Sequence, residues 1–189
     1  MQNIPALVQG QYFHIFNRGN NGEDLFREPR NYQYFLDLFR RHAAPTLELY
    51  AYCLMPNHFH LLVRVAADDA LASKGLSNLF NGYAQAINRA FHRTGSLFED
   101  RFHRIRVETD RYVTTLIAYI HLNPQRHGFT DNFTTWHWSS YSTLISLSPT
   151  GLQRDAVLDW YGGLNQFRAF HEQFLDTTQI AAHVAEDFE

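Results

Sequence analysis

Within the apolar run CLMPNHFHLLVRV (Cys53–Val65), two histidines, His58 and His60, are separated by a single residue. A β-strand alternates its side chains between two faces, so both imidazoles point one way while Phe59 and Leu61 point the other. Two neighbouring imidazoles on one face can hold a metal ion; the plainer alternative is a pair of structural histidines. A second group is Arg101, Arg104 and Arg106, interleaved with Phe98, Phe102 and His103. Guanidinium and aromatic faces together suit unstacked bases and their phosphates, against the ordinary alternative of a solvated edge strand. Asn17 and Arg18, followed by the turn GNNG, form a third group. They read either as a nucleic-acid contact or as a plain capping turn.

The elements that position these residues follow from periodicity and turn chemistry. QYFHIFNR (Gln11–Arg18) reads as a first strand, and PRNYQYFLDLFRRHA (Pro29–Ala43) as a helix with proline near its start. LELYAYCLMP (Leu47–Pro56) is a second strand, turned by Pro56 and Asn57 into the histidine strand as an antiparallel hairpin. Leu71–Arg93 forms a long helix, with Gly82 as a minor blemish. GSLFEDRFHRIRVE (Gly95–Glu108) is a basic, aromatic loop leading into a fourth strand. DRYVTTLIAYIHLNP (Asp110–Pro124) is a third helix, with Asp110 as its cap and Pro124 as its stop. The order predicts an α+β fold, an antiparallel sheet with helices packed on it. WHWSSYSTLI (Trp136–Ile145) reads as a closing segment on that core. A shift in composition near Ser148–Gly151 suggests a domain over 1–148 and a helical extension over 149–189.

Composition narrows the classes. The chain has 189 residues, 45% hydrophobic and 15% aromatic, enough for one globular domain with an extension. The single cysteine, Cys53, excludes an internal disulfide and a cysteine-based zinc site. No apolar run approaches the roughly 18 residues of a membrane span, and the N-terminus lacks a signal-peptide pattern. A soluble cytosolic protein with no membrane partner is therefore expected. The net charge of −3 is unevenly spread: from Asp155 onward there are seven acids and one base, Arg168. Residues 1–154 are therefore net positive, and 15 of the 16 bases in the chain are arginine. Arginine forks grip phosphate bidentately, which favours a nucleic-acid partner for that part.

MPNHFHLLV, GSLFEDRF, YIHLNPQRHG and WHWSSY, in that order, resemble the REP-associated tyrosine transposases. Those proteins are relatives of the IS200/IS605 transposases in the HUH (Y1) single-strand endonuclease superfamily. The resemblance runs from about Tyr12 to Ser142, and its specific part is PNHFHLLV followed by YIxLNPxR. It implies a ferredoxin-like HUH nuclease core with a divalent ion, Mg²⁺ or Mn²⁺, on His58, His60 and a third ligand, Asn123. It makes Tyr119 the nucleophile, leaving a 5′-phosphotyrosine link and a free 3′-OH, with Tyr112 held in reserve. Tyr119 and Asn123 lie at i and i+4 and so share one helix face. Arg126, which closes the motif, joins Asn17, Arg18 and the three arginines of the basic strand as a nucleic-acid contact. The implied partner is single-stranded or hairpin DNA at repetitive elements, the implied location the bacterial cytoplasm at the nucleoid, and the expected state a monomer. The alternative is a catalytically inactive hairpin DNA or RNA-binding regulator. A water-activating histidine-metal hydrolase ranks last, because no carboxylates accompany the histidines.

Overall fold

The computed structural model describes residues 5–108 and 110–176. The side chain of Asp110, expected as a cap, and the end of the extension, 177–189, lie outside the described part of the chain. Four strands, β1 (Tyr12–Arg18), β2 (Leu47–Met55), β3 (His58–Val65) and β4 (His103–Val107), form one antiparallel sheet ordered β2-β3-β1-β4. Met55 pairs with His58, so Pro56 and Asn57 make a two-residue hairpin loop, as the sequence implies. The register between β2 and β3 shifts once, between Leu49 and Ala51.

One face of the sheet carries Phe13, Ile15, Phe59 and Leu61, all fully buried. It is covered by α1 (Pro29–Leu38), which runs on through a wider turn at Phe39–Ala43, and by α2 (Asp69–Ala90). Phe35 of α1 and Phe80 of α2 both pack on Phe59, with ring centroids 5.1 and 5.4 Å away. The Asp68 carboxylate accepts from Leu71 N at 3.0 Å, so α2 starts at Asp69, two residues before the Leu71 expected from sequence, and it ends at Ala90 rather than Arg93. Gly75 lets α2 pass close to the preceding turn, because a Cβ there would stand 2.6 Å from the His42 carbonyl.

The opposite face carries His14, Phe16, His58 and His60, and over it lies α3 (Asp110–Arg126). Here the structure corrects the sequence: Pro124 does not stop this helix. Proline lacks the N–H that would bond to Ile120 O. The next turn still closes, with His127 N bonding to Asn123 O at 2.9 Å and Phe129 N to Pro124 O at 2.8 Å. The chain turns away at Gly128, whose φ of +72° suits glycine.

After α3, the segment from Trp136 to α4 (Tyr141–Leu144) closes the free side of β2. Leu54 N bonds to Trp138 O and Ser140 N to Tyr52 O, both at 2.9 Å, and Gln153 N reaches Leu49 O at 2.9 Å. Helices α5 (Arg154–Tyr161) and α6 (Leu164–Asp176) pack back on α3. A buried polar chain ties them in. His171 Nδ1 bonds to Phe167 O (2.7 Å), His171 Nε2 to His121 Nδ1 (2.9 Å), and His121 Nε2 to Ser140 Oγ (2.8 Å), which also receives Tyr52 N (2.9 Å). A carbonyl only accepts, so His171 donates from Nδ1 and accepts at Nε2. His121 then donates from Nδ1, which leaves its Nε2 as an acceptor facing the Ser140 hydroxyl, whose one proton also has Tyr52 O within reach at 3.2 Å. The direction of the His171–His121 bond is thereby fixed, and burial keeps both imidazoles neutral.

Candidate active site on the histidine face of the sheet

Strand β3 delivers His58 and His60 to the face beneath α3 because period-two alternation puts Phe59 in the opposite core. Their rings lie 5.3 Å apart at 87°. Each is held through Nδ1. His58 Nδ1 meets Asn57 Oδ1 at 2.7 Å, and His60 Nδ1 meets His14 Nε2 at 3.0 Å, a diagonal contact across β1 and β3, since His14 itself is paired with Leu62. The acceptor oxygen of Asn57 places the His58 proton on Nδ1 and its lone pair on Nε2. That Nε2 atom is buried with no hydrogen-bond partner of good geometry.

Burial holds all three rings neutral. It lowers His14 to about 3 and, with the His127 ring and the Arg18 charge, His58 to about 4, while Asn123 opposes the shift. Burial, then His14, His58 and His127, keep His60 well below the ordinary histidine value. Neutral imidazole is the form that binds metal.

Helix α3 lays Tyr119 over this pair, its ring centroid 5.7 Å from that of His60. Tyr119 is 7% exposed and Asn123 1%. Asn123 Nδ2 donates to Tyr119 O at 3.0 Å, and the side chain lies within reach of the Tyr119 phenol and the His58 ring. Burial pushes the phenol up from its ordinary value, against the pull of Asn123 and of the Arg126 charge, while Tyr112 adds to the rise. The Arg126 guanidinium lies 5.8 Å over the Tyr119 ring and 5.2 Å over Phe174 of α6. Tyr112 lies seven residues, two turns, nearer the helix start on the same face.

Among the described residues no three His, Cys, Asp or Glu side chains are arranged to hold a metal. The side chains here that could hold one are two neutral imidazoles and the Asn123 amide. The buried, unpartnered Nε2 of His58 fits a divalent ion there, and so small a set leaves positions for substrate oxygens.

The nucleic-acid candidates separate. Arg18 is cross-strand from His58 at the rim of the site and pairs with Glu99. Asn17 is buried on the other face, its amide bonding to Asp100 O at 3.0 Å and receiving Arg18 N at 2.9 Å, so it holds the loop. Arg104 and Arg106 pair with Ile15 and Phe13, which sets them on the face opposite the histidines. Arg104 reaches Ser73 of α2 at 3.4 Å and lies 5.8 Å over Phe102. Arg101 is exposed just before β4.

Three residues of the site receive no role from the sequence. His14 sits in the first strand at the spacing Tyr12, His14, Phe16, Arg18, but only the β1–β3 register brings it to His60. Asn57 looks like a turn residue and also bonds to His58. His127 lies eight residues beyond Tyr119, its ring 4.7 Å from that of His58. A helix thought to stop at Pro124 hides it.

Paired strand histidines under a helix tyrosine, on a four-stranded antiparallel sheet, place the chain with transposase-type folds. It belongs to the family of IS200-like transposases, which matches residues 8–123, more than half of its length. Over 121 residues it is 24% identical to a Haemophilus influenzae protein assigned as a REP-associated tyrosine transposase, spanning 57% of this chain and 69% of that one. A REP-associated tyrosine transposase solved bound to a REP hairpin shares the fold, with a TM-score of 0.63 at 16% identity over 79% of this chain and 88% of the other. Arg126, His127 and helices α4–α6 lie beyond the family match. No helix among the described residues is long and apolar enough to cross a membrane.

Proposed function

We propose that this chain cleaves and rejoins single-stranded DNA beside hairpin-forming repeats, with Tyr119 as nucleophile and Mg²⁺ or Mn²⁺ as cofactor. The observation that carries the reading is the Tyr119 ring set 5.7 Å from His60 with Asn123 beside both the phenol and His58. The REP hairpin bound by the structural neighbour supports DNA as the partner.

A bond forms between the Tyr119 oxygen and phosphorus, and the bond from phosphorus to the 3′-oxygen breaks. The phenol gives up a proton and the departing 3′-oxygen gains one, so the step balances without a further reactant. Rejoining runs the same exchange backwards, with the phenol as leaving group. Asn123 and the Arg126 charge both favour the phenolate against burial. A divalent ion on His58, His60 and Asn123 would polarise the phosphoryl oxygen. We take the acting species as a monomer, because the chain's own C-terminal segment already pairs the outer side of β2.

The burial of Tyr119, with Arg126 lying between it and Phe174, favours a second reading: a hairpin-binding regulator that does not cleave. A labelled hairpin with a single-stranded flank, incubated with protein and Mn²⁺, separates the two. The first reading expects a covalent adduct that Tyr119→Phe abolishes while binding stays within a few-fold. Binding without an adduct in the unaltered protein establishes the regulator. An adduct that survives Tyr119→Phe moves the nucleophile, with Tyr112 next in line.

A further inference from the structure

Three rings stand in one cross-strand row leading away from the site. His60 on β3 is in register with Phe16 on β1, and Phe16 with His103 on β4. The Phe16 ring lies 6.1 Å from His60 at 30° and 5.1 Å from His103 at 13°. The row is therefore a ladder of near-parallel planes at about the spacing of adjacent strands. Its inner end is the proposed metal ligand beneath Tyr119. Its outer end, His103, is exposed on β4, the last strand of the sheet. Phe16 is 8% exposed, so it backs His103 without itself offering a face.

We infer that His103, backed by Phe16, is a stacking subsite for one unpaired nucleobase of the DNA strand that enters the Tyr119 site. The inference rests on the proposed function and names where a base flanking the scissile phosphate sits. Three observations favour a base. A ring that continues the ladder needs an aromatic plane, and every base has one. The two centroid spacings put His103 no more than about 11 Å from His60. That is close enough for a base near the reacting phosphate. Arg18, two residues along β1 from Phe16 and on the same face, stands beside it, paired with Glu99, and would give a phosphate contact on exchanging that carboxylate for a phosphate. Arg104 and Arg106 cannot serve this strand path as well, since they face the other side of the sheet.

The test reads binding without cleavage, using Tyr119→Phe protein in EDTA and hairpin oligonucleotides whose single-stranded flank carries 2-aminopurine at one position at a time. Stacking predicts fluorescence quenching confined to one position. His103→Ala should abolish that quenching and weaken flanked hairpins about 5- to 150-fold, the span of one base–aromatic stack. It should leave flankless hairpins unchanged. His103→Phe should keep both the quenching and the affinity. Flanked hairpins that bind with no quenched position, or with quenching that His103→Ala preserves, overturn the subsite alone. Equal weakening of flanked and flankless hairpins by His103→Ala also overturns it. Failure of every hairpin to bind would sink the proposed function and this subsite together.

Discussion

Replacing His171 with glutamine removes one titrating group from the buried chain Ser140–His121–His171–Phe167. Burial holds His171 down to about 4, partly offset by its bond to the Phe167 carbonyl. The unfolded chain titrates near 6.5. A depressed folded value means the unfolded state takes up the proton first, so this stability is whole above about pH 6.5 and is lost as pH falls towards 4. For one group with these two values the loss is about 1 kcal/mol between pH 7.5 and 5.5, and about 3 kcal/mol by pH 4. The groups facing His171 do not cancel it: Tyr141 and Tyr161 stay neutral across this range, and His121 is itself pushed well below its ordinary value by burial and by His171. His121 and His171 share a hydrogen bond, so a proton taken up at His171 Nε2 competes with the one His121 Nδ1 donates there. His171→Gln should be less stable at pH 7.5, because it loses ring contacts with Phe167 at 4.2 Å and Tyr141 at 5.3 Å. Its stability should nonetheless fall by about 1 kcal/mol less than the unaltered protein's between pH 7.5 and 5.5. Urea unfolding at both pH values, followed by far-UV circular dichroism, gives that difference directly. An unchanged pH dependence in the variant would refute the buried neutral chain.

His14→Phe removes the partner of His60 Nδ1 and should weaken Mn²⁺ binding about 10- to 100-fold while the protein still folds; calorimetric titration with metal alone checks it, and unaltered affinity rules out a positioning role. Arg18→Ala should lower the salt dependence of hairpin binding by roughly one unit, whereas Arg104→Ala, on the far face, should not; equal effects would mean the DNA path crosses both faces. Truncation after Ser148 removes α5 and α6 and strips His121 of His171, so it should expose apolar surface and cut solubility; a truncated chain as stable as the full one would show that the extension only rests on the core.

How much of this was legible depended on range. The four strands, their antiparallel hairpin and the helix order follow from local periodicity and turn residues, and the structure agrees on all of them. The histidine pair was readable because alternation is a property of one strand. The motif singled out Tyr119 and Asn123; composition alone would leave Tyr119 as a core tyrosine. Cross-strand register was not readable, and it alone brings His14 to His60 and turns Arg104 and Arg106 away from the site. The helix end was misread for a local reason. Proline removes one hydrogen bond, but the buried face of α3 carries the helix past that loss to Arg126. The donor order through His121 and His171 joins residues some fifty positions apart, and no spacing rule reaches that far.

The outer side of β2 has a consequence in time rather than in space. Its hydrogen bonds are completed by Trp138, Ser140 and Gln153, more than eighty residues later in the chain. During synthesis β2 leaves the ribosome and pairs with β3 early, while its other side has nothing to bond. For that interval the nascent protein offers an open, flat edge of the kind that recruits strands from other chains. Late arrival of the tryptophan-serine segment ends the exposure, so translation speed through residues 66–153 sets how long aggregation has to compete. Slow codons in that stretch should lower soluble yield, and fast ones should raise it.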